Sequence, residues 1–163
     1  MEQNKVTVRL ARDEDARDLL KVHYDAIHNT ASADYPADIV SEWAKPVDED
    51  RIRSFLQNPD NEIRLAAELG GRIMGFGALV AEKNELRACY VASAATGKGV
   101  GRALVSEIER IAQDKGLTYL KLDSSVTAEK FYQACGYQCI ERGKHTMRNG
   151  MVMDCITMKK DFS

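Results

Sequence analysis

Glycine occupies every second position of a short segment, at Gly97, Gly99 and Gly101, between a strand predicted to end near Val91 and a helix predicted to begin near Gly99. Without a Cβ atom, glycine lets backbone N–H groups approach a ligand closely. A helix that begins near Gly99 would add unpaired N–H donors and a partial positive charge at its N-terminus. Lys98 and Arg102 would add two cations beside it. This combination predicts a cradle for a phosphate or pyrophosphate group.

The spacing of the glycines separates this cradle from two common phosphate-binding motifs. The sequence has no G-x-x-x-x-G-K-[S/T] loop, and G-x-G-x-G differs from the G-x-G-x-x-G of dinucleotide-binding folds. The alternative interpretation is a flexible loop ahead of a helix. The position of the glycines at a strand-to-helix junction favours phosphate binding over this alternative.

A second segment, TAEKFYQACGYQ (127–138), predicts a short helix that places Phe131 and Tyr132 on one face. Taken alone, the two rings would be core aromatic residues. Cys135 and Cys139 have the spacing of half a metal site, but no second half follows nearby. We therefore predict no metal and expect the four cysteines to remain thiols.

The elements that would position these segments follow from hydrophobic periodicity and turn signals. Strands are predicted over 5–11, 62–69, 72–80, 85–91, 117–123, 137–147 and 151–158, and helices over 13–28, 39–43, 48–57, 99–115 and 128–135. Asp13 is expected to cap the first helix. The apolar face of that helix would hold Ala16, Leu19, Leu20, His23 and Ile27.

This order of elements predicts a mixed α/β (α+β) fold in one domain, residues 1–163, with a partly antiparallel sheet that splits open and is flanked by helices. The helix at 99–115 has the length of a crossover between parallel strands, and the other neighbours pair as antiparallel hairpins. Uneven alternation of strands and helices excludes a doubly wound sheet.

Charge and hydropathy exclude several classes of protein. The 23 basic and 25 acidic residues give a formal net charge of −2, which argues against nucleic acid or an anionic membrane as a partner. No apolar run approaches the roughly 20 residues of a membrane span, and the N-terminus lacks the pattern of a signal peptide. We therefore expect a cytoplasmic protein.

The segment ELRACYVASAATGKGVGRAL, followed by TAEKFYQACGYQ, resembles the GNAT superfamily of N-acetyltransferases. Its acyl-CoA loop reads Gln/Arg-x-x-Gly-x-Gly/Ala, and its later motif reads Asn-Ala-x-x-Phe-Tyr-x-x-x-Gly-Phe/Tyr. The start VRLARDEDARDLLKVH is also similar, so the resemblance covers essentially the whole chain. Two positions depart from it: Thr96 replaces Gln or Arg of the loop motif, and Thr127 replaces Asn of the later motif.

The resemblance implies a GNAT-like sheet splayed open at an acyl-CoA site, with acetyl-CoA as acyl donor. The pyrophosphate would lie over 97–102, and the pantetheine arm would follow the strand that ends at Val91. Ser124, Ser125 or Thr127 would take the place of the missing Asn. The implied cofactor-binding residues are Tyr90, Val91, Thr96, Gly97, Lys98, Gly99, Val100, Gly101, Arg102, Ser125 and Thr127.

The resemblance also implies direct attack by an amine, with no Ser or Cys nucleophile. A backbone N–H near Val91 would stabilise negative charge on the acyl oxygen. Tyr132 corresponds to the general acid of the family, which protonates the departing thiolate. With ordinary pKa values of about 10 for tyrosine and about 8.5 for a thiol, this transfer is uphill by about 2 kcal/mol, which local tuning can offset.

The attacking amine must lose a proton, and Glu85 is the best candidate for the base. Its alternative role is an ion pair with Arg87, two residues along the same strand. His23 and His28 are rival bases, although packing suits His23 better. His145 has no evident partner and is expected to be structural or exposed.

Acceptor specificity is expected from Tyr35, Trp43, the 29–47 region and the hairpin 137–158. An aromatic wall favours an apolar or aromatic amine, but a small metabolite, an antibiotic, a peptide N-terminus and a protein lysine all fit. The alternative function is a non-catalytic acyl-CoA-binding sensor or interaction module. Thr96 and Thr127 favour this alternative, and the presence of Tyr132 argues against it. The sequence fits a monomer or a homodimer.

Overall fold

The computed structural model describes residues 5–162, which form seven strands and five α-helices. Residues 1–4 and 163 of the predicted domain lie outside the described part. The strands are β1 (Val6–Leu10), β2 (Ile63–Leu69), β3 (Arg72–Val80), β4 (Glu85–Val91), β5 (Tyr119–Ser124), β6 (Gln138–Thr146) and β7 (Val152–Asp161). The helices are α1 (Ala16–Asn29), α2 (Ala37–Trp43), α3 (Glu49–Gln57), α4 (Val100–Asp114) and α5 (Glu129–Ala134). Every predicted strand and helix is present.

The strands form one sheet in the order β1-β2-β3-β4-β5-β7-β6. Neighbouring strands are antiparallel except β4 and β5, which run parallel and are joined through α4, as the crossover predicts. These two strands pair at a single position, Glu85 with Lys121. Beyond that position they separate, so a V-shaped cleft opens in the sheet toward Val91 and Ser124. The predicted mixed fold with a split sheet is confirmed.

A β-bulge in β4 changes which side chains face each side of the sheet. Leu86 pairs with Leu79 and Ala88 pairs with Ala78, so Arg87 is an extra residue without a partner on β3. The two leucines belong to the core beneath α4. The two alanines belong to the core beneath α1, on the opposite face. The bulge at Arg87 lies two residues beyond Glu85, the single β4 residue paired with β5, and so it lies beside the point where the two strands separate.

Helices cover both faces of the sheet. On one face α4 forms the larger core, whose fully buried side chains include Leu65, Leu79, Val100, Leu104, Ile108, Leu120, Ile156 and Met158. A Cβ at Gly75 on β3 would lie 2.6 Å from Cγ1 of Val100, so this glycine permits the close approach of α4. On the other face, α1 packs over the sheet through Leu19 and Val22, and α2 packs beside it through Ile39 and Val40.

The start of α1 differs from the prediction. A 3-10 turn, Asp13–Asp15, precedes the helix, and it is Asp15 whose carboxylate accepts a hydrogen bond from the N–H of Arg12 (2.7 Å). The guanidinium of Arg9 donates to both oxygens of Asp15 at 2.7 and 3.1 Å. These hydrogen bonds hold the pKa of the buried Asp15 carboxyl below its ordinary value. Asp13 is exposed and does not cap the helix.

We expect Asp15→Asn to lower the free energy of unfolding by about 2 kcal/mol, because charged hydrogen bonds to Arg9 are lost. Urea unfolding at pH 7 measures this difference. The folded-state pKa is lowered, so the carboxylate stabilises the fold above its ordinary pKa of 3.8, and this contribution is lost as the pH falls below about 4. Asp13→Asn on the same turn is the control, and an equal loss there would contradict the prediction.

The buried stripe of α1 also differs in part from the predicted one. Val22 and Ala26 are buried, whereas Leu20 and His23 are half-buried. Leu20 lies at the edge of the stripe, whereas the His23 ring lies within it and packs against Tyr90. No helix in residues 5–162 combines the length and the apolar character that crossing a membrane requires.

Candidate active site

The cleft between β4 and β5 is the place where the predicted site residues converge. It forms a cavity of about 490 Å³. One wall comes from α1 and α2, the floor from β4, and the remaining walls from the loop before α4 and from the β5–α5 segment. The site residues that line it are Tyr90, Val91, Thr96, Gly97, Gly99, Val100, Gly101, Arg102, Ser125, Thr127 and Tyr132. Two predicted site residues, Glu85 and Lys98, do not line it.

A run of backbone N–H groups from Gly97 to Arg102 lies at the open end of the cleft. No described residue accepts a hydrogen bond from Gly97, Lys98 or Gly99, and the N–H groups of the first turn of α4 have no partner within the helix. Gly97 and Gly99 have φ of +76° and +86°, and a Cβ at either would meet no atom within 4 Å. The loop therefore presents an open cradle of donors at a helix N-terminus.

Three predicted cofactor residues have structural roles at their side-chain positions, because each contacts another part of the protein there. The hydroxyl of Thr96 donates to the carbonyl of Ser93 (3.1 Å). The side chain of Val100 is buried in the core beneath α4. A Cβ at Gly101 would lie 2.9 Å from Cζ of Phe131, so this glycine lets α5 pack against α4. At Val100 and Gly101 only the backbone is available to a ligand, whereas the exposed Thr96 hydroxyl has its proton engaged within the loop.

The segment that leads into the cradle is fixed from α1. The carboxylate of Asp25 accepts from the backbone N–H of Ser93 and from its hydroxyl (3.0 Å). The side-chain amide of Asn29 donates to the same carboxylate (2.6 Å). Asp25 therefore orients the 3-10 turn Ser93–Ala95 that precedes the glycine loop. No local sequence pattern indicates this role for Asp25, because its partner Ser93 is 68 positions away.

Tyr132 lies on α5 with its ring almost fully buried beside the cleft. The ring packs edge-on against Phe131 and Tyr137. Its hydroxyl has no hydrogen-bond partner among the described residues, yet it does not belong to the fully enclosed polar atoms. It therefore remains accessible from the cleft. Burial raises the pKa of Tyr132 well above 10, so the phenol keeps its proton at neutral pH.

The turn between β5 and α5 is held from the α2 side. The hydroxyl of Tyr35 accepts from the N–H of Val126 (2.8 Å) and donates to the carbonyl of Asp154 (2.7 Å). The hydroxyl of Thr127 donates to the carboxylate of Asp34 (2.7 Å). Tyr35 lies behind the wall of the cleft and links three segments. Thr127 lines the cleft, but its hydroxyl is engaged with Asp34.

Tyr90 and Ser125 line the cleft in different ways. The ring of Tyr90 lies on the α1 face of the sheet, with its centroid 4.6 Å from that of His23, and burial raises its pKa to about 12. The oxygen of the Ser125 hydroxyl accepts from the N–H of Ala128 (3.1 Å) and so satisfies the start of α5. The side chain of Tyr90 therefore faces α1 rather than the glycine loop.

Glu85 forms the ion pair that was its alternative role. Its two carboxylate oxygens accept from the guanidinium of Arg87 at 2.9 and 3.2 Å. Glu85 lies at the closed end of the V, whereas Arg87 lines the cleft. Arg87 therefore lines the cleft where Glu85 does not, and the role of Glu85 as a base stays a prediction.

The three histidines lie outside the cleft. Burial, with smaller contributions from the charges of Arg51 and His28, lowers the pKa of His23 to about 4. The Nε2–H of His28 donates to the carbonyl of Ala44 (2.7 Å) and ties α1 to the end of α2. His145 is exposed on β6, as predicted.

On the α1 and α2 side, the cleft is lined by Trp43, a predicted specificity residue, and by Asp123, which was not predicted. Asp123 is exposed, and its carboxylate accepts from the hydroxyl of Thr157 (3.0 Å). The alternation of residues along β5 could have indicated Asp123, because Leu122 and Ser124 on either side of it are buried on the α4 face. Asp123 must therefore face the opposite side, toward α1.

No group of three or more His, Cys, Asp or Glu side chains in residues 5–162 is arranged to hold a metal ion. Cys139 is exposed, and Cys135 is half-buried beside α5. All four cysteines are free thiols.

Comparison with known proteins identifies one family for most of the chain. Residues 31–162 match the family model described as "Acetyltransferase (GNAT) domain". A GCN5-related N-acetyltransferase from Rhodopseudomonas palustris superposes with a TM-score of 0.86 and 26% identity, over 96% of this chain and 95% of that one. The PaiA N-acetyltransferase of Thermoplasma acidophilum, solved with coenzyme A, superposes with a TM-score of 0.74 and 20% identity, over 97% of this chain and 99% of that one.

Similarity to a curated protein covers a shorter segment. A stretch of 57 residues is 37% identical to the tRNA(Met) cytidine acetyltransferase TmcA of Pectobacterium atrosepticum. The aligned stretch spans 34% of this chain and 8% of the length of that relative.

Proposed function

Since the chain belongs to the GNAT acetyltransferase family, we propose that it transfers an acetyl group from acetyl-CoA to a primary amine by direct attack of the amine. One observation carries the proposal: a single cleft has unpaired N–H groups at one end and the accessible phenol of Tyr132 on its wall. The first can bind a diphosphate, and the second can give up a proton. Neither requires a metal or a covalent intermediate on the protein.

The residues of the cradle fit the acyl donor that the family uses. Acetyl-CoA supplies an acetyl group as a thioester, with a pyrophosphate at some distance from it. The N–H groups from Gly97 to Arg102 would hold the pyrophosphate, because open space lies where a Cβ of Gly97 or Gly99 would stand. The exposed side chains of Lys98 and Arg102 add positive charge beside them.

The edge of β4 that faces the cleft offers further donors. The N–H of Ala92 donates to the carbonyl of Met74 on β3 (2.8 Å). Because successive N–H groups of an extended strand point to opposite sides, those of Val91 and Cys89 point away from β3 and into the cleft. In this proposal they bind the pantetheine arm and stabilise negative charge on the acyl oxygen.

Tyr132 is the proposed general acid. Its phenol is protonated at neutral pH, because the ordinary pKa of tyrosine is about 10 and burial raises it further, and its hydroxyl is not held by another group of the described protein. Burial makes the phenol a weaker acid, but the same apolar surroundings would disfavour the thiolate and so raise the pKa of the leaving thiol as well. It would donate this proton to the departing thiolate sulfur. Without that proton the thiolate would leave as a charged group in an apolar part of the cleft, which costs free energy.

Glu85 is the proposed base, and it would act through water because Arg87 lies between it and the cleft. We expect Glu85→Gln to lower kcat/KM at neutral pH about tenfold, below the usual effect of a base in direct contact with the substrate. Glu82→Gln, an exposed residue just before β4, is the control. If Glu85→Gln behaves like this control, pairing with Arg87 is the whole role of Glu85.

Release of the CoA thiol from acetyl-CoA, followed with the full chain and a panel of amines, tests the proposed function. The panel should include small aliphatic and aromatic amines, amino acids, a peptide N-terminus and a lysine-containing peptide. Amine-dependent release with an acetylated product supports an acetyltransferase. Tight binding of acetyl-CoA by calorimetry without release for any amine would support the sensor alternative instead.

A further inference from the structure

We infer that the preferred acceptor is a diamine or a longer polyamine, with one amino group at the thioester and a second, charged one held by Asp123. The inference rests on the proposed function and names its substrate class.

Asp123 supplies a carboxylate without a cationic partner. Among the described residues no Lys, Arg or His nitrogen is paired with it, and its one hydrogen bond comes from the hydroxyl of Thr157. Thr157 lies opposite Asp123 on β5 and opposite Glu141 on β6. Paired residues share a face of the sheet, so Asp123 and Glu141 form an acidic row beside the cleft.

Two cations lie in the next row of the same face. Lys121 and Lys159 are paired across β5 and β7, and Lys159 also contacts the carboxylate of Asp161 (3.3 Å). This row is two residues away from Asp123, or about 7 Å along the strand, toward the closed end of the V. It leaves the carboxylate of Asp123 open toward the cleft.

Arg87 is a cation that lines the cleft on the α1 face of β4, and four of its five N–H donors are already used. Its guanidinium donates to both oxygens of Glu85, to Asp60 (2.5 Å) and to Glu62 (3.4 Å). Glu62 also accepts from Arg64 (2.8 Å). Three carboxylates thus surround two guanidinium groups.

An ammonium group and a carboxylate group on an acceptor would therefore bind differently at this side of the cleft. A carboxylate on the acceptor would meet an Arg87 whose charge is already balanced by Glu85, Asp60 and Glu62, and it would face Asp123. An ammonium group would instead gain a charged hydrogen bond to Asp123.

The wall that α1 and α2 contribute to the cleft suits a chain of methylene groups. Ala26, Ile27, Ala31 and Trp43 line it with predominantly apolar side chains, and Thr30 adds one hydroxyl. The indole ring of Trp43 can also attract an ammonium group through its π face. An acceptor with two amino groups separated by an alkyl chain therefore matches both the apolar wall and the carboxylate.

The experiment compares three amines of equal carbon length with the full chain and acetyl-CoA: butane-1,4-diamine, butylamine and 4-aminobutyrate. We expect kcat/KM for the diamine to exceed that for butylamine about tenfold, and that for 4-aminobutyrate to be the lowest. In Asp123→Asn the ratio of diamine to butylamine should fall to about one. Asp114→Asn, at the exposed end of α4, should keep the ratio at about ten.

The outcomes separate this inference from the proposed function. Turnover of butylamine and diamine at equal rates, a ratio that Asp123→Asn does not change, or a preference for 4-aminobutyrate would overturn the inference and leave the acetyltransferase function standing. Absence of thiol release for every amine of the broader panel would overturn both.

Discussion

Replacing Tyr132 by phenylalanine should lower kcat about 100-fold, while KM for acetyl-CoA stays within about two-fold. The expected factor is at the lower end for a general acid, because a thiolate is itself a fair leaving group. Ring packing against Phe131 and Tyr137 is retained in the variant, so the loss would report on the hydroxyl alone. Steady-state thiol release at saturating amine measures it.

The matched control for this variant is Tyr119→Phe. Tyr119 is half-buried on β5, stacks beneath the ammonium group of Lys159 and does not line the cleft. It should have the activity of the unmodified protein. Because the pKa of Tyr132 is raised well above 10, kcat should also show no decline from deprotonation of Tyr132 between pH 7 and about 9. Equal kcat in Tyr132→Phe and the control would exclude Tyr132 as the acid.

Replacing Gly99 by alanine should weaken acetyl-CoA binding about 30-fold, which corresponds to about 2 kcal/mol. Gly99 precedes α4 with φ of +86°, a conformation that costs an L-residue about 1–2 kcal/mol. Relief of this strain would turn the neighbouring N–H groups away from their common direction. One charged hydrogen bond to phosphate is worth about as much as the expected loss. Calorimetric titration with acetyl-CoA measures the change.

Gly116→Ala provides a control on the same helix. Gly116 follows α4 with φ of +85°, and a Cβ there also meets no atom within 4 Å. Both variants should lose a similar free energy of unfolding, since the strain is nearly the same. Only Gly99→Ala should bind acetyl-CoA more weakly. Equal affinities in the two variants would show that the loop amides do not hold the phosphates.

Much of the fold could be predicted because its signals are local. The apolar stripe of α4 and the glycine pair between β2 and β3 each specify an element within a few residues. The parallel pairing of β4 and β5 followed from the length of α4. The glycine cradle could be predicted for the same reason, since the strand end, the glycines and the helix start are consecutive in the chain.

Other parts of the site could not be predicted because they depend on residues far apart in sequence. The hydrogen bonds of Asp25 with Ser93 and of Tyr35 with Asp154 join positions that are brought together only by packing. The bulge at Arg87 depends on the register between β3 and β4. The start of α1 was predicted at the wrong carboxylate because Asp13 and Asp15 are equivalent in sequence, and only Asp15 reaches Arg9.

The single register pair between β4 and β5 has a consequence for cooperativity. A continuous ladder would make the sheet unfold as one unit, but here a seam divides it into the half-sheets β1–β4 and β5–β7, which α4 connects. A ligand that bonds to both edges of the seam would serve as the missing strand. Its binding would then stabilise the whole protein by an amount that grows with the ligand concentration relative to its Kd, so occupancy of the cleft would determine how far the two half-sheets behave as one foldon.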